Sequence, residues 1–527
     1  MDEWLHTVLR IDDLGPNDEV PVGLQRFVFA CLVLLNAAMV FDAAALNVAL
    51  PAILDALGGD IETVQWVASA RSLAFAVFLL PAGRLGDMIG YRRTSIFGGV
   101  FFAVATVVAA LAPGPAVLII ARSAQGIGAA FIAPSIVGLT ARLFGAGRRG
   151  GVFGVLIAVL AIAGGLAPFF GGVLTETVSW RAIFVITASL TIVAIVGLAL
   201  APQGLDPPRR DAYRPDVVGI AVLATAVLAT QLGLIEGDRI GWFPWSIGLL
   251  VVGVAVGVAV VARETRRPDG LVDAELLSNR ILLGSLLAKA ITSFGFYGVA
   301  LYIVLFLEGA MGLSPIEVGL VMLIPAVVAV VVSPLVGRAL TDANSRWFLL
   351  VGLLLCSTGV LVLAIVEDTS SPGRHVIPGL LLNAIGYCVA AVPTKVAPLN
   401  ALADRLHGRA SALMSMSSKL WAGFGVAVTA ALFHVYSGGH ARDAVVGAGL
   451  DGIVGADDIE GCLGVNSVNE CVDDLAAQSP AVADVADETV DAIALTFEST
   501  IFSTFLTIGV ATLIASAGVF WLTKPAP

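Results

Sequence analysis

Long apolar runs separated by short polar breaks dominate the chain from residue 27 onward. Fourteen are long enough to cross a hydrocarbon layer of about 30 Å, at 27–49, 62–82, 93–112, 115–140, 150–174, 181–201, 215–235, 243–262, 281–308, 316–340, 346–366, 375–398, 408–434 and 496–522. In lipid every backbone N–H and C=O must be satisfied within its own segment, so such runs predict membrane-spanning α-helices. The fold class expected is an all-α integral membrane protein.

Composition excludes the soluble alternatives. Of the 527 residues 58% are hydrophobic and 13% charged, more apolar surface than a soluble domain needs. The net charge of −11 describes loops, because the acids gather chiefly between His434 and Glu498. Basic residues mark one set of short loops: Arg92 and Arg93, Arg142, Arg148 and Arg149, Arg209 and Arg210, Arg263, Arg266 and Arg267, Arg338, Arg405 and Arg409. Cationic loops resist translocation, so that side is expected to face the cytoplasm of a bacterial inner membrane, with both termini on it. Residues 1–25 are acidic and mixed, and no small-residue cleavage site follows, so no removable signal peptide is expected.

Between the second and third runs stands GRLGDMIGYRR, Gly83 to Arg93. Its glycines permit close backbone approach, Asp87 can accept hydrogen bonds, and Arg92 and Arg93 sit where a helix re-enters the bilayer. This stretch resembles the signature loop of the major facilitator superfamily of transporters. The first run carries FDAAALNVALP, with Asp42, Asn47 and Pro51; it resembles the first-helix motif of the fourteen-span drug and proton antiporters of that superfamily. ARSAQGIGAA, with Arg122, Gln125, Gly126 and Gly128, is similar to the buried-arginine motif, and APFFGGVL, with Pro168, Gly171 and Gly172, to the antiporter helix-packing motif. Ala163 and Ala167 depart from that last motif, where the family usually has glycine. Pro334, Gly337, Arg338 and Asp342 echo GRLGD half a chain away, the trace of two similar bundles.

The resemblance implies two six-helix bundles with two extra helices inserted, fourteen in all, around a central cavity. The expected division is a cytoplasmic segment 1–26, a bundle 27–201, a linker 202–270 with two additional helices, and a bundle 271–523 that includes an external acidic loop 436–495. In that loop Cys462 and Cys471 form a candidate disulfide in an oxidising exterior, whereas Cys31, Cys356 and Cys388 lie within apolar helices as packing residues. The scattered aspartates lack an ordered ligand loop and are read as solvation, with no metal site.

An ionisable side chain in mid-membrane costs a few kcal/mol or more, so each is a functional candidate. Asp42, with Arg122 as partner, is the candidate proton carrier; the competing reading is a permanent ion pair with Arg122 or Arg71. Arg71 stands where the family has an uncharged residue, and Lys289, Lys395 and Lys419 add further intramembrane cations. Together with Tyr297 and Trp421 as aromatic platforms, they form the candidate substrate cavity. An excess of cations attracts an anionic or zwitterionic headgroup, unless the cations snorkel or pair with carbonyls or Asp42. Gly83, Asp87, Arg92 and Arg142 are the candidate cytoplasmic latch.

The function implied is secondary active transport: proton-coupled export of amphiphilic small molecules by alternating access. The cofactor expectation is none, the proton gradient supplying the energy. An exporter of anionic lipids or lysophospholipids is a second reading and a non-transporting sensor or assembly factor a third. The partners expected are membrane lipids and the substrate, with the chain a monomer. No phosphate-binding loop, metal-binding helix or grouped histidines point to an enzyme, and no clustered basic face points to nucleic acid.

Overall fold

The computed structural model describes residues 20–57, 61–202, 244–264, 274–307, 315–365, 376–450, 468–478 and 485–523, with scattered residues between 205 and 233 and between 311 and 482. Its main helices are α1 (Val22–Leu57), α2 (Ile61–Ile89), α3 (Tyr91–Ala110), α4 (Pro115–Leu143), α5 (Ala146–Thr177), α6 (Arg181–Leu200), α7 (Pro244–Glu264) and α8 (Ala274–Ser278). They continue as α9 (Arg280–Leu305), α10 (Pro315–Met322), α11 (Ile324–Ala339), α12 (Ser345–Ala364), α13 (Val376–Ala401), α14 (His407–Gly447), α15 (Val468–Gln478) and α16 (Ala486–Leu522). Among the described residues twelve stretches are long and apolar enough to cross a membrane. The expected run 243–262 corresponds to α7, whose apolar part, Ile247–Arg263, is shorter; the run 215–235 lies largely outside the described residues. The fourteen-helix count is therefore not confirmed.

Local chemistry sets the helix boundaries. Gly90, at φ 103°, occupies backbone space that other residues avoid, and this single residue separates α2 from α3. Pro115 opens α4 where its missing N–H costs nothing. Asn279 caps α9 by accepting from the N–H groups of Ile281 and Leu282, at 3.0 Å each. Leu323 interrupts one expected span, dividing it into α10 and α11.

Helices α1 to α6 pack on one another, α1 against α5 and α6, and α4 against α2 and α3; α9, α11 to α14 and α16 form a second set. The two sets meet where α5 touches α11 and α13, and where α14 touches α2 and α4. Small residues permit these approaches. A Cβ on Gly83 of α2 would lie 2.5 Å from the Ala412 Cβ and 2.7 Å from the Gly408 carbonyl oxygen of α14, and Gly150 of α5 abuts Gly337 of α11 in the same way. The half-chain echo of GRLGD is thus also an echo in space, with Gly83 and Gly337 both at the junction.

Where the sequence predicts a hydrophilic excursion over 436–495, the structure has a folded cap. α14 runs unbroken to Gly447 and α16 begins at Ala486. Val445, Leu450, Val454, Ile459, Leu463 and Val472 bury themselves with Ile493 and with Phe306 and Val318 at the ends of neighbouring spans. These apolar residues are spaced too thinly among the acids to read as a core from sequence. Cys471, in α15, is disulfide-bonded, Cys462 lies outside the described residues, and Cys31, Cys356 and Cys388 are free and buried.

Candidate functional site

Between the halves lies a cavity of about 570 Å³. Val40 and Ala44 of α1 and Ile157, Leu160 and Gly164 of α5 face Lys289, Phe296 and Tyr297 of α9, Pro325 and Ala326 of α11, and Asn383, Tyr387 and Lys395 of α13. A mostly apolar wall with a few convergent polar groups is how small-molecule sites are built. Its charges all have one sign: among the described lining residues there are two lysines and no carboxylate. The Lys289 ammonium donates to Tyr387 Oη at 3.1 Å and lies 4.9 Å from the centre of that ring. Lys395 makes no hydrogen bond or ion pair among the described residues, and the charge of Lys289 reaches it.

Asp42 does not face this cavity. It falls between Val40 and Ala44 on α1, and two residues of helix turn its side chain to the opposite face. There it is fully buried. Arg122 Nη1 donates to Asp42 Oδ2 at 2.6 Å and to Gln125 Oε1 at 2.9 Å, while Gln125 Nε2 donates to Asp42 Oδ1 at 3.2 Å and to Thr106 Oγ1 at 2.8 Å. Arg71 Nε stands 3.6 Å from Asp42 Oδ2, and its Nη2 donates to the Met39 carbonyl at 2.9 Å. Two guanidiniums thus face one carboxylate, leaving a net positive charge, and the shortest link is to Arg122. Gly126 lets α4 approach closely enough for this: a Cβ there would lie 2.9 Å from the Ala74 Cβ of α2.

At one end of the bundle the halves are locked together. Asp87, near the end of α2, accepts the main-chain N–H groups of Gly408 at 2.7 Å and Arg409 at 3.0 Å, in the first turn of α14. It also accepts Arg409 Nε at 3.2 Å and the Tyr91 hydroxyl at 2.7 Å. A carboxylate at a helix N-terminus satisfies otherwise unpaired donors and complements the helix dipole. A second clamp comes from Arg149 of α5, whose Nη1 donates to the Leu399 carbonyl at 3.1 Å and to Asn400 Oδ1 at 2.9 Å; Asn400 in turn donates to Asp342 at 2.8 Å. Lys395 is one helical turn from Leu399, so the cavity floor and this clamp share α13.

The sequence-derived candidates are thus divided among several places. Lys289, Tyr297 and Lys395 line the cavity, and Asp42, Arg122 and Arg71 form one ion cluster. Lys419 and Trp421, both exposed on α14, lie outside the lining; the Lys419 ammonium is 6.0 Å from the centre of the Phe75 ring and feels the charges of Arg71 and Lys289. Gly83 and Asp87 stand at the junction. Arg92 does not: its Nε and Nη2 donate to the Leu198 and Ala199 carbonyls at 2.8 Å each, tying α3 to the end of α6 within one half. Arg142 is exposed, close enough for its charge to act on Tyr91. In α5 Pro168 is accommodated without ending the helix, and a Cβ on Gly171 would lie 2.6 Å from the Ala45 carbonyl oxygen of α1; Gly172 follows, half-buried.

Sequence reasoning misses the recipients of these contacts. Tyr91 and Arg149 read only as loop residues, and Gly408 and Arg409 only as the start of the run 408–434, with no sign of what they meet. Gln125 carried a signal as a polar residue one turn from Arg122, and Asn383 and Tyr387 carried one as polar positions at helical spacing in an apolar run.

The family model of the Major Facilitator Superfamily matches residues 32–426. The chain is 31% identical over 416 residues to the probable actinorhodin transporter of Streptomyces coelicolor, covering 77% of this chain and 72% of that one. It is 30% identical to the puromycin resistance protein of Streptomyces alboniger, covering 74% and 78%, and 30% identical to the multidrug resistance protein Stp of Mycobacterium tuberculosis, covering 75% and 73%. Among solved structures the fold resembles the human organic anion transporter MFSD10, at TM-score 0.61 and 12% identity over 94% of this chain and all of that one. It also resembles the proton:xylose symporter XylE, at TM-score 0.56 and 14% identity over 77% and 88%. Taken with the twin helical sets, the cavity between them and the locked end, these matches establish that the chain belongs to the Major Facilitator Superfamily, as a secondary transporter and not an enzyme.

Proposed function

We propose that the chain exports an anionic amphiphilic small molecule across a bacterial plasma membrane by alternating access, with the proton gradient as its energy source. One observation carries this reading: the cavity between the halves is lined by two lysines and no carboxylate among the described residues, with the charges of Arg71 and Lys419 nearby. Such a cavity favours a negative headgroup and disfavours a lipophilic cation. Export is supported by the relatives, whose names are those of an antibiotic transporter and of drug resistance proteins. The basic loops at the locked end support a cytoplasmic placement for it, with both termini on that side and the chain working as a monomer among membrane lipids. Residues 27–201 and 271–523 are the moving halves, and 202–270 connects them.

A proton that neutralises Asp42 weakens its hold on Arg122 and Arg71, and so loosens α1 from α4 and α2. Because Asp42 is fully buried, protonation requires those helices to part first, which ties proton uptake to the conformational cycle. The test is export from proteoliposomes under an imposed pH gradient. An Asp42→Asn variant is expected to bind substrate but lose pH-driven accumulation; undiminished accumulation removes Asp42 from the role.

A further inference from the structure

We infer that the substrate is a flat aromatic acid, held with its rings against Phe296, Tyr297 and Tyr387 and its anionic group between Lys289 and Lys395. This rests on the reading of the cavity as an anion site and narrows the chemistry it takes.

The inference starts from how the cations are held. Among the described residues Lys289 is paired with no acid: its ammonium is anchored by the Tyr387 hydroxyl at 3.1 Å and lies 4.9 Å from that ring. One of three donors is used there, so two remain for a ligand oxygen. Lys395 lines the same cavity with all three donors unused among the described residues. Both lysines are half-buried with no counter-ion among the described residues, an arrangement whose cost is relieved when an anion binds.

The rings beside Lys289 form a continuous aromatic surface. Phe296 and Tyr387 are 4.8 Å apart, tilted by 35°, and Phe296 and Tyr297 meet edge to face at 5.4 Å. Tyr297 is 41% exposed, which leaves its ring open to the cavity. The surface comes from α9 and α13, the helices that also carry the lysines. Tyr387 and Lys395 are eight residues apart on α13, roughly 12 Å along a helix at 1.5 Å per residue. The rings and the two lysines thus share one cavity, and its volume of about 570 Å³ lies in the size range of drug-sized sites. An acyl chain gains nothing from stacking on rings; a planar aromatic gains both burial and ring contacts.

The test uses the purified full chain in nanodiscs and three probes of known charge and shape: anthracene-9-carboxylate, decanoate and 9-(aminomethyl)anthracene. The aromatic acid is expected to bind at least ten-fold tighter than either of the others. Lys289→Gln and Lys395→Gln are each expected to weaken it about ten-fold, Lys395→Arg to restore it, and Tyr387→Phe to weaken it less than Tyr387→Ala. Decanoate binding as tightly as anthracene-9-carboxylate overturns the aromatic class and leaves the anionic reading standing. Tighter binding of the amine overturns both. Binding of the aromatic acid unchanged in both glutamine variants places it elsewhere and overturns the site. The comparison of probes on the unaltered protein decides the question of class even where a variant fails to fold.

Discussion

Replacing Asp87 with asparagine tests the junction most directly, because one atom changes and every partner is identified. The carboxylate accepts from four donors: the Gly408 and Arg409 N–H groups, Arg409 Nε and the Tyr91 hydroxyl. Asparagine keeps one accepting oxygen, which can still face Gly408, and turns an NH₂ towards the two donors of Arg409. Hydrogen bonds to charged groups contribute about 1.5–3 kcal/mol each against about 0.5–1.5 for neutral ones. The helix-terminus interaction adds about 0.3–2 kcal/mol depending on burial. Asparagine still satisfies part of this set, so the lower part of the sum applies, about 3 kcal/mol. At about 1.4 kcal/mol per decade this shifts the equilibrium between locked and open junction about 100-fold. Spin labels on Arg148→Cys and Ala403→Cys, exposed positions on opposite halves, read the shift as growth of a longer-distance population. Among the described residues the native cysteines do not compete, since Cys31, Cys356 and Cys388 are buried and Cys471 is disulfide-bonded. An unchanged distance distribution in a folded Asp87→Asn protein would refute the reasoning.

Two further outcomes separate packing from charge. Gly83→Val brings side-chain atoms against the Gly408 backbone and Ala412, where a single Cβ already lies at 2.7 and 2.5 Å, so it is expected to open the junction without altering any charge; labels that still report the locked distance contradict this. Arg92→Ala removes one buried and one partly buried bond to carbonyls near the end of α6 and is expected to cost about 2–3 kcal/mol of stability, seen as a lower Tm with the label distances unchanged. A shift of the distances at constant Tm would instead return Arg92 to the latch.

How far the site was legible depended on what kind of information each residue carried. Charge in an apolar run is a local fact, and it singled out Asp42, Arg71, Arg122, Lys289, Lys395 and Lys419 because an intramembrane ion always has to be accounted for. Which of them meet is not local. Arg122 reaches Asp42 across 80 residues and Asp87 reaches Gly408 across 321; sequence spacing says nothing about such pairs. The same limit explains two candidates whose partners the sequence did not show: Arg92 reads as part of the loop it follows, yet its side chain bonds to the end of α6, and Lys419 stands over the Phe75 ring of α2.

The sequence by itself determined that this chain is a bundle of membrane helices in two related halves, because hydrocarbon thickness and the need to satisfy the backbone within each segment leave long apolar runs no other form. It also determined where the helices come close, since glycines at their junctions leave no side chain to keep them apart. Only the tertiary structure decided that Asp42 turns away from the cavity, that the cavity wall is basic and aromatic, and that the acidic segment before α16 folds into a cap. Each of these depends on the rotation and register of one helix against another. Those are fixed by packing summed over many residues far apart in the chain, and no single stretch of sequence records that sum.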